Sequence, residues 1–169
     1  MRLTVLTAAL LALTAAPALA QKGSPAPTAT PPAVDTPTPP PVPQGAGINF
    51  GDDSGEYPND GECDDRRFAG AGVAASYLNW DNTGGDATDC RSLVDSGQAR
   101  LYDHTAATQA MQCGTVDFGD DSGEYPNDGE CDDIRFEGFG MAYALSEQLI
   151  GKDASDCRQL CQFGMIGMR

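Results

Sequence analysis

A run of sixteen residues, FGDDSGEYPNDGECDD, stands at residues 50–65 and again at residues 118–133. The match extends beyond the run, since DDRRF (64–68) corresponds to DDIRF (132–136). After a one-residue deletion, DATDCRSL (86–93) corresponds to DASDCRQL (153–160). A chain with this internal similarity is predicted to fold as two tandem copies of one small module, each of about 55 residues.

The residues before the first copy are predicted to lie outside the fold. Residues 1–20 combine Arg2, a short apolar stretch and the small-residue site ALA, which is typical of a secretory signal peptide. That stretch is shorter than the roughly 20 apolar residues of a membrane span, so we expect no transmembrane segment in the mature chain. Residues 21–45 hold nine of the twelve prolines and are predicted to be a disordered linker. The predicted modules are residues 46–103 and 114–169, with a connector at 104–113.

Six cysteines predict how such small modules are stabilised. Modules of this size bury little surface and usually need covalent crosslinks, and export places the cysteines where disulfides persist. Equivalent positions in the two copies predict the pairs Cys63–Cys90 and Cys131–Cys157. Exclusion then pairs Cys113 with Cys161.

The predicted fold class is a small, disulfide-stapled α+β protein. Short strands are expected at 48–50 and 116–118, and the acidic run between them and the next elements is a loop rich in turn formers. A helix is expected in the second half of 136–148, because Met141, Leu145 and Leu149 recur at helical spacing. Helices are also expected after the N-cap residues Asp86 and Asp153, ending at Gly97 and Gly164, with closing strands at 99–102 and 165–168. The expected core residues are Phe50, Phe68, Leu78, Leu93, Phe118, Phe136, Leu145 and Leu160.

Each predicted module holds twelve acidic and four basic residues, so each carries a net charge near −8. Neighbouring carboxylates in one loop repel each other, and a bound hard cation is one remedy. Ca²⁺ takes six to eight oxygen ligands in flexible geometry, and Asp60-x-Glu62-x-Asp64 places carboxylates at alternate positions. The EF-hand pattern is not met, since Asp65 and Ala71 stand where it requires Gly and Glu. The candidate Ca²⁺ ligands are Asp52, Asp53, Glu56, Asp60, Glu62, Asp64 and Asp65, with Asp120, Asp121, Glu124, Asp128, Glu130, Asp132 and Asp133 in the second copy.

Two explanations without a metal ion also account for the repulsion among the carboxylates of each loop. Arginine makes bidentate pairs with carboxylates, and Arg67, Arg91, Arg135 and Arg158 all lie near the acidic run or the second cysteine of a copy. Alternatively, the acidic surface binds a cationic protein or a cell-envelope polymer. Nucleic acid is not an expected partner, because phosphate contacts need clusters of Lys and Arg.

The sequence favours a non-catalytic protein. His104 is the only histidine and lies in the connector, so no Ser-His-Asp or Cys-His arrangement is indicated. The acidic loop identifies no carboxylate pair of the kind that glycoside hydrolysis needs. A role as an accessory of a carbohydrate or peptidoglycan hydrolase is kept as a second alternative.

The two segments shared by both copies, DGECDD-x-RF and DA-[TS]-DCR, resemble an acidic repeat module found in exported proteobacterial proteins. The resemblance covers residues 50–102 and 118–168. It implies a recurrent non-catalytic accessory module and a location in the periplasm or outside the cell. The chain departs from the pattern at Cys161, which is additional, and at Arg66, where the module usually has proline or an apolar residue.

Overall fold

The computed structural model describes residues 45–169. The predicted signal peptide and the Pro-rich segment up to residue 44 lie outside the described residues. The described chain is a small α+β fold, as predicted, with three α-helices and seven short strands. Among these residues, no helix has the length and apolar character needed to cross a membrane. The elements are β1 (Phe68–Gly70), β2 (Tyr77–Asn79), α1 (Ala87–Asp95), β3 (Ala99–Leu101), α2 (His104–Ala110), β4 (Cys131–Asp133), β5 (Phe136–Gly138), β6 (Met141–Ser146), a 3₁₀-helix (Glu147–Leu149), α3 (Ala154–Gln162) and β7 (Ile166–Met168).

The strands form three small sheets, and one sheet combines both halves of the sequence. β1 pairs with β3 and β5 pairs with β7, each antiparallel. The third sheet has the order β2-β6-β4, with β2 and β6 antiparallel. Leu78 faces Leu145 at the centre of the β2–β6 pair, with Tyr77 opposite Ser146 and Asn79 opposite Ala144.

The pairing of β2 with β6 is symmetric with respect to the two halves of the sequence. Asn79 forms a parallel bridge with Asp65, and Ser146 forms the corresponding parallel pair with Asp133. Asn79 and Ser146 therefore hold matching places, as do Leu78 and Leu145. Exchanging each residue for its counterpart returns the same set of pairs.

A buried ionic cluster also connects the two halves. Arg66 is fully buried and makes two hydrogen bonds of 3.1 Å with the carboxylate of Glu137. Its Nη1 donates to the carbonyl oxygens of Ala142 and Tyr143, and its guanidinium lies 4.1 Å from the ring of Trp80. Since a buried charge is tolerated only when it is paired and hydrogen-bonded, this network depends on both halves being present.

The apolar core follows the predicted residues closely. Phe50 stacks on Phe68, and Phe118 stacks on Phe136, with ring centroids 5.6 and 5.5 Å apart. Leu78 packs into the core of the second half together with Leu145. Of the eight predicted core residues, Leu93 alone is only partly buried.

All three predicted disulfides are confirmed. Cys63 bonds to Cys90 and Cys131 bonds to Cys157. Cys113 bonds to Cys161 and ties the connector to α3. The connector itself contains α2, whose N-terminus is capped by the side chain of Asp103.

Three local predictions are wrong. Residues 48–50 and 116–118 have no strand partner and precede the loops as irregular chain. Residues 141–146 form a strand, although Met141 and Leu145 also suit a helix, because pairing with both β2 and β4 satisfies the backbone. The helices after Asp86 and Asp153 and the closing strands are confirmed.

Candidate cation site

The Cys63–Cys90 disulfide places the acidic loop against the start of α1, with the two Cα atoms 4.6 Å apart. The N–H of Asp64 donates to Oδ2 of Asp86 at 2.8 Å. The N–H of Gly61 donates to Oδ2 of Asp89 at 3.1 Å. The carboxylates of Asp86 and Asp89 thereby lie against the backbone of the acidic loop. In addition to burial, the charges of Asp60, Glu62, Asp86 and Asp89 all raise the pKa of Asp64, and we call these five residues the first carboxylate cluster.

The second half builds the same arrangement. The Cys131–Cys157 disulfide holds its Cα atoms 4.7 Å apart. The N–H of Asp132 donates to Oδ2 of Asp153 at 2.9 Å, and the N–H of Glu130 donates to Oδ1 of Asp128 at 3.0 Å. The second carboxylate cluster consists of Asp128, Glu130, Asp132, Asp153 and Asp156.

Both clusters contain buried carboxylate oxygens that receive no hydrogen bond. The residues that carry them are at most 7% exposed. An anionic oxygen out of water and without a donor is costly, so each of these oxygens calls for a proton or a cation. The oxygens are Asp64 Oδ2, Asp86 Oδ1, Asp132 Oδ2, Asp153 Oδ1 and Asp156 Oδ2.

The electrostatics of the clusters point the same way. Burial, aided by repulsion from neighbouring carboxylates, raises the pKa of Asp64 and of Asp132 to about 7. Burial also raises the pKa of Asp86 and of Asp153 to about 6, although the hydrogen bond each accepts opposes the rise. These groups are charged near neutral pH only at a free-energy cost that a bound cation would remove.

The arginines next to the loops are engaged with other residues. The side chain of Arg67 pairs with Asp65 at 2.5 Å, and Arg135 pairs with Asp133 at the same distance. The remaining capacity of Asp65 goes to the N–H groups of Arg67 and Gly84. Asp65 and its counterpart Asp133 were predicted as Ca²⁺ ligands, but their oxygens are already committed. The predicted charge pairing of Arg67 and Arg135 is thus present.

Arg91 and Arg158 do not take the predicted role. Their guanidinium groups lie over the rings of Phe50 and Phe118, 4.5 and 5.5 Å from the ring centroids. Among residues 45–169, the ion pairs of arginine are with Asp65, Asp133 and Glu137. Within this part of the chain, no arginine forms an ion pair with either carboxylate cluster.

Two further predicted ligands stabilise the helices instead. Asp53 accepts hydrogen bonds from the N–H and the hydroxyl of Thr88 in the first turn of α1, which lowers the pKa of Asp53. Asp121 does the same with Ser155 in α3. Asp86 and Asp153 precede the helices as predicted, but their side chains do not cap them, because they turn toward the loops.

The remaining predicted ligands lie at the exposed rim of the loop. Asp52 and Asp120 accept from the N–H groups of Ser54 and Ser122 within their own turns. Glu56 and Glu124 are also solvent-exposed. The structure therefore separates the predicted set into rim residues, helix-stabilising residues, arginine partners and the three members of each cluster.

The donor atoms of the clusters are all oxygen. Sulfur atoms of Cys63 and Cys90 approach Asp86, and those of Cys131 and Cys157 approach Asp153, but as disulfides they offer no thiolate. The imidazole of His104 is also not a donor here, because its Nε2 lies 2.9 Å from the carbonyl oxygen of Met165, outside both clusters. Oxygen-only sites favour hard cations such as Ca²⁺ over Zn²⁺.

Sequence reasoning missed the helix residues of the site. Asp86 and Asp153 were predicted to be helix N-caps, and Asp89 and Asp156 were not predicted as ligands. The predicted disulfide could have identified them. A Cys63–Cys90 bond holds the start of the following helix, with Asp86 and Asp89, against the acidic loop.

Comparison of this chain with protein-family models, with curated proteins and with solved structures finds no match to any of them.

Proposed function

We propose that this chain is an exported, non-catalytic protein of the cell envelope whose two carboxylate clusters each bind one calcium ion. One observation carries the proposal: five buried carboxylate oxygens, distributed over two similar clusters, have no hydrogen-bond donor. Acidic loops on a surface normally leave their charge in water. These oxygens are instead enclosed between a loop and a helix.

The chemistry of the clusters supports calcium among the hard cations. Each cluster contains five carboxylates, and Ca²⁺ takes its six to eight oxygens from carboxylates, backbone carbonyls and water. Three of the carboxylates come from a loop with glycine and asparagine turns, which suits the flexible geometry of Ca²⁺. Mg²⁺ demands near-ideal octahedral geometry and retains several waters, so it suits the buried, donor-free oxygens of these clusters less well.

The proposed ions act structurally and prepare a surface for binding. An ion held by Asp64 of the loop and Asp86 of the helix fixes these segments together, next to the disulfide that already joins them. The similar geometry of the two halves supports the further proposal that they are two copies of one module. Disulfides are typical of an oxidising compartment and support export to the periplasm or the exterior.

The metal-free alternative rests on the ion pairs of Arg67 with Asp65 and of Arg135 with Asp133. Each pair accounts for one carboxylate of the seven in its acidic run. It leaves the buried oxygens of Asp64 and Asp132 without a donor. The alternative thus explains the loop ends and does not explain the clusters.

Calorimetric titration of the oxidised protein with Ca²⁺, after treatment with chelator, tests the proposal. Two ions per chain are expected, and Asp64→Asn and Asp132→Asn should each remove or strongly weaken one of the two. Calcium at a hundred times Kd should also stabilise the fold by about 2.7 kcal/mol if the unfolded chain does not bind it. Asp52→Asn, at the exposed rim, is the matched control and should leave the stoichiometry unchanged. Absence of both heat and a shift in unfolding would contradict the proposal and favour the metal-free alternative.

A further inference from the structure

Two of the three disulfides lie directly against a buried carboxylate. In the first half, the sulfur atoms of Cys63 and Cys90 and a carboxylate oxygen of Asp86 all lie within 4.8 Å of one another. Sγ of Cys90 is 3.7 Å from Oδ2 of Asp86. The three residues are at most 2% exposed. These atoms therefore form one enclosed group of two sulfurs and a carboxylate.

The second half contains the same group. The sulfur atoms of Cys131 and Cys157 and a carboxylate oxygen of Asp153 lie within 4.8 Å of one another. Sγ of Cys157 is 3.6 Å from Oδ2 of Asp153. The third disulfide, Cys113–Cys161, differs, because no carboxylate or imidazole of the described residues joins it in such a group. The chain thus contains its own comparison between disulfides with an adjacent carboxylate and one without.

The two aspartates beside the disulfides have oxygens that no other group uses. Oδ1 of Asp86 and Oδ1 of Asp153 are buried and accept no hydrogen bond. Oδ2 of each accepts from one backbone N–H, that of Asp64 or of Asp132. Carboxylates that bind metal ions are themselves held by hydrogen bonds of this kind. Each aspartate is therefore oriented by one bond and has capacity left for a cation.

Every disulfide is made from two thiols, so the chain passes through a dithiol form before each crosslink closes. We propose that in this form each group is a Zn²⁺ site, with two thiolates and one carboxylate as ligands. A water molecule completes the four-coordinate shell that Zn²⁺ prefers. The ligands are Cys63, Cys90 and Asp86 at the first site and Cys131, Cys157 and Asp153 at the second.

The distances between sulfur and oxygen suit zinc. Zn²⁺ binds sulfur at about 2.3 Å and carboxylate oxygen at about 2.0–2.2 Å in tetrahedral geometry, which places these two ligand atoms about 3.5–3.7 Å apart. The separations of 3.7 and 3.6 Å agree with this range. Ca²⁺ takes oxygen ligands only, whereas thiolate is a ligand of Zn²⁺. Zinc and calcium are thus bound by different forms of the chain, the dithiol form and the oxidised form.

Zinc uptake and disulfide formation follow one another with a simple balance. Binding of Zn²⁺ releases two protons, one from each thiol, and leaves the oxidation state of sulfur unchanged. The two thiolates then exchange with an external disulfide and become the disulfide of the protein. The external disulfide gains two electrons, takes up two protons to become a dithiol, and the zinc ion leaves. Zinc therefore holds the acidic loop on the helix until a covalent bond replaces it.

Calorimetric titration with Zn²⁺, after a phosphine has reduced all three disulfides, tests the proposed sites. Two ions per chain are expected, each with release of protons that is measured in buffers of different ionisation enthalpy. Asp86→Asn should weaken one site at least about tenfold, because even outer-shell partners of metal ligands contribute that much. Asp52→Asn, at the exposed rim, should leave both sites unchanged. Replacing both Cys113 and Cys161 by alanine should also leave two ions.

Asp86→Asn keeps all six cysteines, so the disulfides and unfolding temperature of its oxidised form show whether the variant folds. Equal zinc affinity in Asp86→Asn and in the unchanged chain would overturn the zinc proposal, since cysteines alone would then bind the ion. Absence of zinc uptake, or loss of an ion on replacing Cys113 and Cys161, would also overturn it. Calcium titration of the oxidised chain is a separate result. Zinc uptake without calcium binding contradicts the proposed function alone, and calcium binding without zinc uptake contradicts the zinc sites alone.

Discussion

The carboxylate of Asp86 accepts a hydrogen bond of 2.8 Å from the backbone N–H of Asp64, two residues that are both buried and both acidic. The contact satisfies one oxygen of Asp86 and leaves its other oxygen, and one of Asp64, without a donor. The same relationship joins Asp153 to Asp132 at 2.9 Å. The side chain of an ordinary N-cap aspartate accepts a hydrogen bond from the first turn of its own helix. Asp86 and Asp153 instead accept from backbone N–H groups of the acidic loops, and they make no side-chain cap bond.

Stability without calcium is expected to fall as pH rises. The pKa of Asp64 and of Asp132 is about 7 in the folded chain and near 3.8 in the unfolded chain. Between these values the folded state binds protons that the unfolded state has released, so raising the pH favours unfolding. Thermal unfolding in chelator should therefore show its highest midpoint near pH 4 and a decline up to about pH 7. Excess calcium should reverse the trend in this range, and a chelated midpoint that ignores pH would contradict the buried, donor-free carboxylates.

Removing the partner of Arg67 should destabilise the fold without affecting calcium. Asp65 is 1% exposed, and Asp65→Asn leaves the guanidinium without its counter-charge. We expect a loss of about 1–3 kcal/mol in urea unfolding, because the buried side chain of residue 65 loses charge-assisted hydrogen bonds to a guanidinium that is itself 31% exposed. Ion stoichiometry should stay at the wild-type value. A variant as stable as Asp52→Asn would show that the pair contributes nothing.

Close backbone contact makes Gly51 sensitive to any side chain. Its φ is +82°, and a Cβ there would lie 2.0 Å from the carbonyl oxygen of Gly84. Gly47 has a similar φ of +87° with no atom within 4 Å of the same position. Gly47→Ala should cost about 1 kcal/mol for its backbone conformation alone. Gly51→Ala should cost clearly more in the same denaturant titration, and equal costs would exclude the predicted clash.

The residues that sequence could place are those with a strong local or pairwise signal. Duplication predicted the pairs Cys63–Cys90 and Cys131–Cys157, and apolar positions such as Phe50 and Phe118 predicted the core. The strand at 141–146 escaped prediction because its partner β2 lies in the other half, and no local pattern encodes that pairing. Met141 and Leu145 suit either period when taken alone.

The candidate site was likewise predictable only in part. Composition identified the acidic loop, and Asp64 of that loop carries a buried oxygen without a hydrogen-bond donor. It did not distinguish Asp64 from Asp65, which binds Arg67, or from Asp53, which binds Thr88. Those distinctions depend on which carboxylates the disulfide and the helix enclose, and this is a property of the tertiary contacts.

The symmetric pairing of β2 with β6 predicts how a shortened form of the protein would behave. A fragment ending before α2 would leave the hydrogen-bonding edge of β2 open and Leu78 in water. Because Leu78 and Leu145 hold matching places, two such fragments would pair edge to edge as a homodimer, with β2 of one antiparallel to β2 of the other and Leu78 opposite Leu78. In the full chain, β6 of the second half takes the place of that second strand, and the covalent connection keeps the two in a one-to-one ratio.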